Sequence, residues 1–129
     1  MFTLDQIKNA HAKVKSGADF PNYIQDLIKL GVASYETFVS DGHSVFNGEN
    51  NYQILSPPKY DALVIADKSN SDKFISELKV HQQGGSDYPT FCKQSAENGI
   101  EKWVVNMRQM TCTYFNKAGK QILEEKIPG

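Results

Sequence analysis

One motif occurs twice in this chain, and the spacing between the two occurrences limits its fold more than any other feature. Asp19-Phe20-Pro21-Asn22-Tyr23, followed by Gly31-Val32 and Tyr35, returns as Asp87-Tyr88-Pro89-Thr90-Phe91, Gly99-Ile100 and Trp103, each position displaced by 68. The register holds at both ends: Gly17 returns as Gly85, and Gln53-Ile54-Leu55 as Gln121-Ile122-Leu123. Such self-similarity predicts a tandem duplication, with units at 3–55 and 71–123 and a linker at 56–70. The 129 residues are a single-domain length, so both units are expected within one domain, 1–129.

Each unit reads as helix, helix, then a three-stranded antiparallel meander. Thr3 and Gln6 form a capping box, and Leu4, Ile7, Ala10, His11 and Val14 keep helical spacing up to a stop at Ser16-Gly17. Asp19 is placed to cap the next helix, Pro21 fits its first turn, and Gly31 suits its C-terminal end. Tyr23, Ile24, Leu27 and Ile28 are its expected buried stripe, matched by Phe91, Cys92, Ser95 and Ala96. Beyond Val32 the period becomes two. Asp41-Gly42 signals a two-residue hairpin loop, which would set Val39 opposite Ser44 and Thr37 opposite Phe46. In the second unit Gln109-Met110 stands there instead, so that turn would have to be rebuilt. Ser56-Pro57-Pro58 breaks the chain, residues 60–65 read as a short extra strand, and Ser71 as the cap of the third helix.

The two units together assign the strand faces. Tyr35, Thr37 and Val39 match Trp103, Val105 and Met107 and should face the helices. The alternate set faces outward, which leaves Phe38, Val45 and Val104 as an outer contact surface. One three-stranded sheet with two helices has little core, so the units should share one. The expected fold is a pseudo-twofold α+β domain, its sheets joined edge to edge or packed face to face.

Charge and cysteines narrow the function classes. A net charge of −1 argues against nucleic-acid binding. No run of 18 apolar residues exists to span a membrane, and Met1-Phe2-Thr3-Leu4-Asp5 lacks the regions of a secretory signal. Two cysteines make no disulfide framework, so a cytoplasmic location is expected. No metal-binding spacing occurs, and neither a metal nor another cofactor is expected.

No catalytic constellation emerges, and His43 and Cys112 are the weak candidates. His43 reads foremost as a solvated turn histidine and Cys112 as a buried structural thiol, since a reactive one needs exposure and a positive neighbour. Cys92 lies on an apolar helix stripe that could meet Cys112. His11 and His81 fall near helix C-terminal ends, where a cation is mildly favoured. Tyr35, Phe38, Tyr52, Tyr60, Trp103, Tyr114 and Phe115 could line a pocket where the units meet, although aromatic residues serve packing first.

Several stretches carry a likeness: Tyr35-Glu36-Thr37-Phe38-Val39-Ser40-Asp41-Gly42-His43-Ser44, His81-Gln82-Gln83-Gly84, Gly99-Ile100-Glu101-Lys102-Trp103-Val104-Val105 and Met110-Thr111-Cys112-Thr113-Tyr114. Through them the chain resembles the YbcV-like bacterial and prophage-associated family of unknown function, also called phage envelope protein-like. The resemblance implies a small, stand-alone, duplicated α+β protein and supplies no catalytic residues. Three functions are therefore in view. The first is a non-enzymatic module that binds a protein partner or forms a homodimer through the outer face. The others are a small-molecule binder or enzyme with a pocket at the junction, and a phage structural component.

Overall fold

The computed structural model describes residues 1–15 and 17–128; Ser16, read above as part of a helix stop, and Gly129, the end of the expected domain, lie outside the described residues. The fold is α+β. Its helices are α1 (Leu4–His11), α2 (Phe20–Leu30), α3 (Ser71–Gln82) and α4 (Tyr88–Glu97), with a 3-10 turn at Gly17–Asp19. Its strands are β1 (Ser34–Phe38), β2 (Ser44–Asn47), β3 (Gln53–Leu55), β4 (Ile100–Asn106), β5 (Thr111–Asn116) and β6 (Gln121–Lys126). They form one antiparallel six-stranded sheet in the order β3-β2-β1-β4-β5-β6.

The local signals act as their chemistry requires. Thr3 and Gln6 close a reciprocal capping box on α1. Gly31 takes φ 100 after α2, in the left-handed region where glycine has no steric penalty. Helices α2, α3 and α4 set rings onto the inner sheet face: Tyr23 on Tyr35, Phe74 on Tyr114, and Phe91 on Trp103. Tyr35, Thr37, Val39, Trp103, Val105 and Met107 are all buried, as the alternation expects. The strand β1 pairs edge to edge with β4, placing Tyr35 opposite Val105, Glu36 opposite Val104 and Thr37 opposite Trp103.

Several expectations need correction. Asp19 makes no side-chain cap bond to α2, its carboxylate accepting the Lys15 amide instead. The first hairpin does not close on two residues: Thr37 lies opposite Ser44 and Tyr35 opposite Phe46, and the Phe38 amide donates to the His43 carbonyl around a four-residue loop. Val39 leaves the β1–β2 ladder because its amide donates to Glu101 O (2.8 Å), while the Asp41 carboxylate accepts the His43 amide in an Asx turn. The second turn is rebuilt in its bonding, with Asn106 Oδ1 accepting the Arg108 and Gln109 amides, but not in its length. It spans the corresponding four residues, 107–110, with Met110 at φ 55 where Gly42 has φ 77. Residues 60–65 form no strand, because the amides of Tyr60 and Leu63 donate to carbonyls of Asp41 and Ser40 rather than to a strand edge. Asn70, not Ser71, caps α3, its side chain accepting the Lys73 amide. Finally, Ile28 is exposed at the edge of the α2 stripe that buries Tyr23, Ile24 and Leu27.

Candidate functional site

A cavity of about 450 Å³ lies between the inner sheet face and the helices. The sheet supplies its floor through alternation: Tyr35 and Thr37 from β1, Ser44 and Phe46 from β2, Trp103 from β4, and Cys112 with Tyr114 from β5. Tyr23 of α2, Leu78 and His81 of α3, and Tyr88 with Phe91 of α4 close it from above. Gly17 and Pro21 form one wall, and a Cβ on Gly17 would stand 2.3 Å from the His81 carbonyl oxygen, so only glycine allows this approach.

The polar groups in this aromatic shell are few and mostly fixed. Thr37 Oγ1 and Ser44 Oγ are hydrogen bonded at 2.8 Å, both buried. His81 stacks on Phe91 with ring centroids 4.3 Å apart, and its Nδ1 lies 3.1 Å from both the carbonyl and the hydroxyl oxygen of Ser86. His11 meets Tyr23 and Tyr88 edge on, and the Lys59 amine lies 5.7 Å from the centre of the Tyr88 ring.

Burial sets the protonation states. It lowers the His11 pKa, aided by the charge of Lys59, and lowers that of His81 against the opposing pull of Ser86 and Asp87. Both imidazoles are therefore neutral at pH 7, whereas a helix-end effect alone would have favoured their charged forms. Burial also pushes the Cys112 thiol up to about 12, with Tyr114 opposing and Glu125 adding to the rise. A thiol held there is protonated at neutral pH and forms wall rather than nucleophile.

The remaining sequence candidates divide between the two sheet faces. His43 lies on the outer side, its ring stacked on Phe38 at 4.6 Å and its Nδ1 bonded to Asp41, whereas Cys112 points into the core. The structure does not bring the two together. Cys92 and Cys112 are both free and buried, Cys92 beside Tyr60 and Tyr88 and Cys112 beside Tyr114. Phe38, Val45 and Val104 are half-buried on the outer face. There Val45 and Val104 flank Glu36 on neighbouring strands, and Glu36 accepts from Lys102 at 3.3 Å.

Of the aromatic residues expected at the junction, Tyr35, Trp103 and Tyr114 line the cavity. Tyr52 instead packs on Phe2, Tyr60 donates to Val39 O, and Phe38 and Phe115 sandwich the Lys102 amine outside. Sequence reasoning missed Lys59, which reads there only as a charged residue after a Pro-Pro break. Among the described residues no group of three or more His, Cys, Asp and Glu side chains is gathered to hold a metal ion, and no helix is long and apolar enough to cross a membrane.

A family model described as a protein of unknown function, DUF1398, matches residues 8–126. The chain belongs to the DUF1398 family. No curated protein matches it. The match reaches from α1 to the end of β6 and takes in nearly all of the cavity lining of this DUF1398 chain.

Proposed function

We propose that this protein binds a small organic molecule in the cavity between its sheet and helices. The observation that carries the proposal is the cavity itself, whose volume of about 450 Å³ falls in the range of ligand sites. Its walls combine aromatic rings with polar and charged groups, which divide affinity and orientation between them.

We also read the chain as a tandem duplication about a pseudo-twofold axis passing between Glu36 and Val104. The strand order is palindromic about β1 and β4, and displacement by 68 maps the pair Tyr35–Val105 onto Trp103–Thr37. Gly42 and Met110, both at positive φ, correspond under the same displacement. On this reading the cavity is built where two equivalent inner faces meet. The YbcV-like, prophage-associated placement and a cytoplasmic location belong to the same proposal, and the two free buried thiols suit a reducing compartment.

Trp103, the single tryptophan of the chain, lines the cavity and reports on its occupancy. Titration with the neutral fluorophore N-phenyl-1-naphthylamine should quench Trp103 by energy transfer and raise probe emission. Ser44→Phe, which fills the floor, should abolish both changes in a variant that still melts cooperatively. Unchanged Trp103 emission, or equal binding by the filled variant, would overturn the proposal.

The outer face offers a second reading, as a docking surface for a protein partner or a second copy of the chain. Phe38, Val45 and Val104 motivate it, but the Glu36–Lys102 ion pair divides their apolar surface. Light scattering after size exclusion decides: a dimer that Phe38→Asp dissociates would favour this reading, and a monomer in both forms would sink the self-association version.

A further inference from the structure

We infer that the occupant of the cavity is an aromatic or apolar monoanion, a carboxylate in the first instance, whose charged end lies between Lys59 and His11. The inference rests on the cavity reading and adds the ligand's charge and its orientation. It follows from the charges that line the space. Lys15, Lys59 and Lys126 contribute to the lining, and among the described residues Glu125 is its one acidic side chain. That carboxylate accepts from Gln82 Nε2 at 2.9 Å. Among the described residues the close pairs of basic and acidic side chains are Lys13–Asp26, His43–Asp41, Lys102–Glu36 and Lys117–Asp67, and none includes Lys59.

Lys59 is also held in place. Its amide donates to Asp41 O at 2.8 Å, and the next residue, Tyr60, donates its hydroxyl to Val39 O at 2.6 Å. The side chain then passes to the Tyr88 ring, which His11 also meets edge on. Lys59 and His11 line both the main cavity and a smaller one of about 270 Å³ beside it. Although Lys59 as a residue is exposed, partial burial lowers its pKa against the opposing pull of Cys92, and among the described residues no carboxylate pairs with it as counter-ion. A ligand anion would supply that counter-ion, and neutral His11 could donate an N–H to it.

The number of charges argues for one negative charge rather than two. Phosphate sites gather Arg or Lys with several backbone N–H groups, often at a helix N-terminus. Here Lys59 is the one charged residue common to the linings of both cavities, beside neutral His11, at a chamber walled by Tyr23, Tyr88 and Trp103. A flat ring stacking within that chamber, with a single acid group at its edge, matches both parts.

The test compares two probes with the same ring system, neutral N-phenyl-1-naphthylamine and anionic 8-anilinonaphthalene-1-sulfonate, against the full chain. The anion should bind the native protein more tightly. Lys59→Met should weaken the anion about tenfold relative to the neutral probe, the worth of one charge-assisted contact. Lys59→Arg should retain most of the preference, and cooperative melts of both variants show that the fold is intact. If neither probe quenches Trp103, the cavity reading itself fails. If both bind and Lys59→Met affects them equally or not at all, the cavity stands and the inferred charge of the ligand is overturned.

Discussion

Asp87 and Asp19 stand at the same point of the same motif and make different bonds. The Asp87 carboxylate accepts the Thr90 amide and caps α4. The Asp19 carboxylate accepts the Lys15 amide at 2.9 Å, behind it in sequence, and makes no cap bond to α2. In the first half the inter-helix turn therefore folds back as a 3-10 turn, bringing Gly17 against the end of α3 and forming a wall of the cavity. In the second half the corresponding turn serves the start of its own helix. One helix-start motif is thus compatible with two surroundings, and the surroundings decide whether the turn builds a site.

Core side chains differ in the same way. Leu27 is fully buried on α2, where α4 has Ser95, whose hydroxyl donates to Phe91 O at 2.8 Å. The largest expected effect tests this contrast. Leu27→Ala should cost about 3 kcal/mol through lost burial and the cavity left behind. Ser95→Ala should cost less than about 1 kcal/mol, the usual net worth of one hydrogen bond. Denaturant unfolding of the two variants measures both, and equal losses would break the comparison.

The hairpin loops provide the next test. Gly42 has φ 77, and an added Cβ would also stand 2.7 Å from Tyr60 Cε2, whereas Met110 holds φ 55 with a full side chain. Gly42→Ala should therefore destabilise by about 2 kcal/mol, combining a left-handed residue with a clash. Met110→Gly relieves the left-handed strain but loosens the unfolded chain and loses the packing of the methionine, so its effect should stay within about 1 kcal/mol of zero. A loss at Met110→Gly as large as at Gly42→Ala would show that the two turns are not energetically alike.

The smallest effect concerns pH. Burial holds the folded pKa values of His11 and His81 below 6.5, so the unfolded chain takes up protons first as pH falls. Stability should thus be fully present above about pH 6.5 and decline below it, lowering Tm by a few degrees between pH 7 and 5. His11→Gln and His81→Gln should each flatten that slope, and thermal melts at the two pH values would show it.

The α+β class and the inner strand face were legible because period-two alternation and the internal likeness agree at Tyr35, Thr37, Trp103 and Val105. The first hairpin was misread because Asp41-Gly42 carries a strong local turn signal. It was overridden by Val39, whose amide pairs across the sheet with Glu101. The cavity was legible only as a pocket that aromatic residues could line, of which Tyr35, Trp103 and Tyr114 do so. Whether the inner faces meet or stand apart depends on β1 pairing with β4 and on the height at which Tyr23, Tyr88 and Phe91 hold the helices. Lys59 gave no periodic or motif signal, since its position depends on backbone bonds from the linker to Asp41.

The β1–β4 seam has a kinetic consequence. Every other strand pair in the sheet is a hairpin between neighbours in sequence, but Phe38 and Lys102 meet although they lie 64 positions apart in the chain. Closing so long a loop is entropically the most demanding contact the sheet makes, which places it late in folding. The chamber exists only after that closure. A bound guest would then brake unfolding and leave the refolding rate untouched, a one-sided change that stopped-flow traces with and without the naphthylamine probe would reveal.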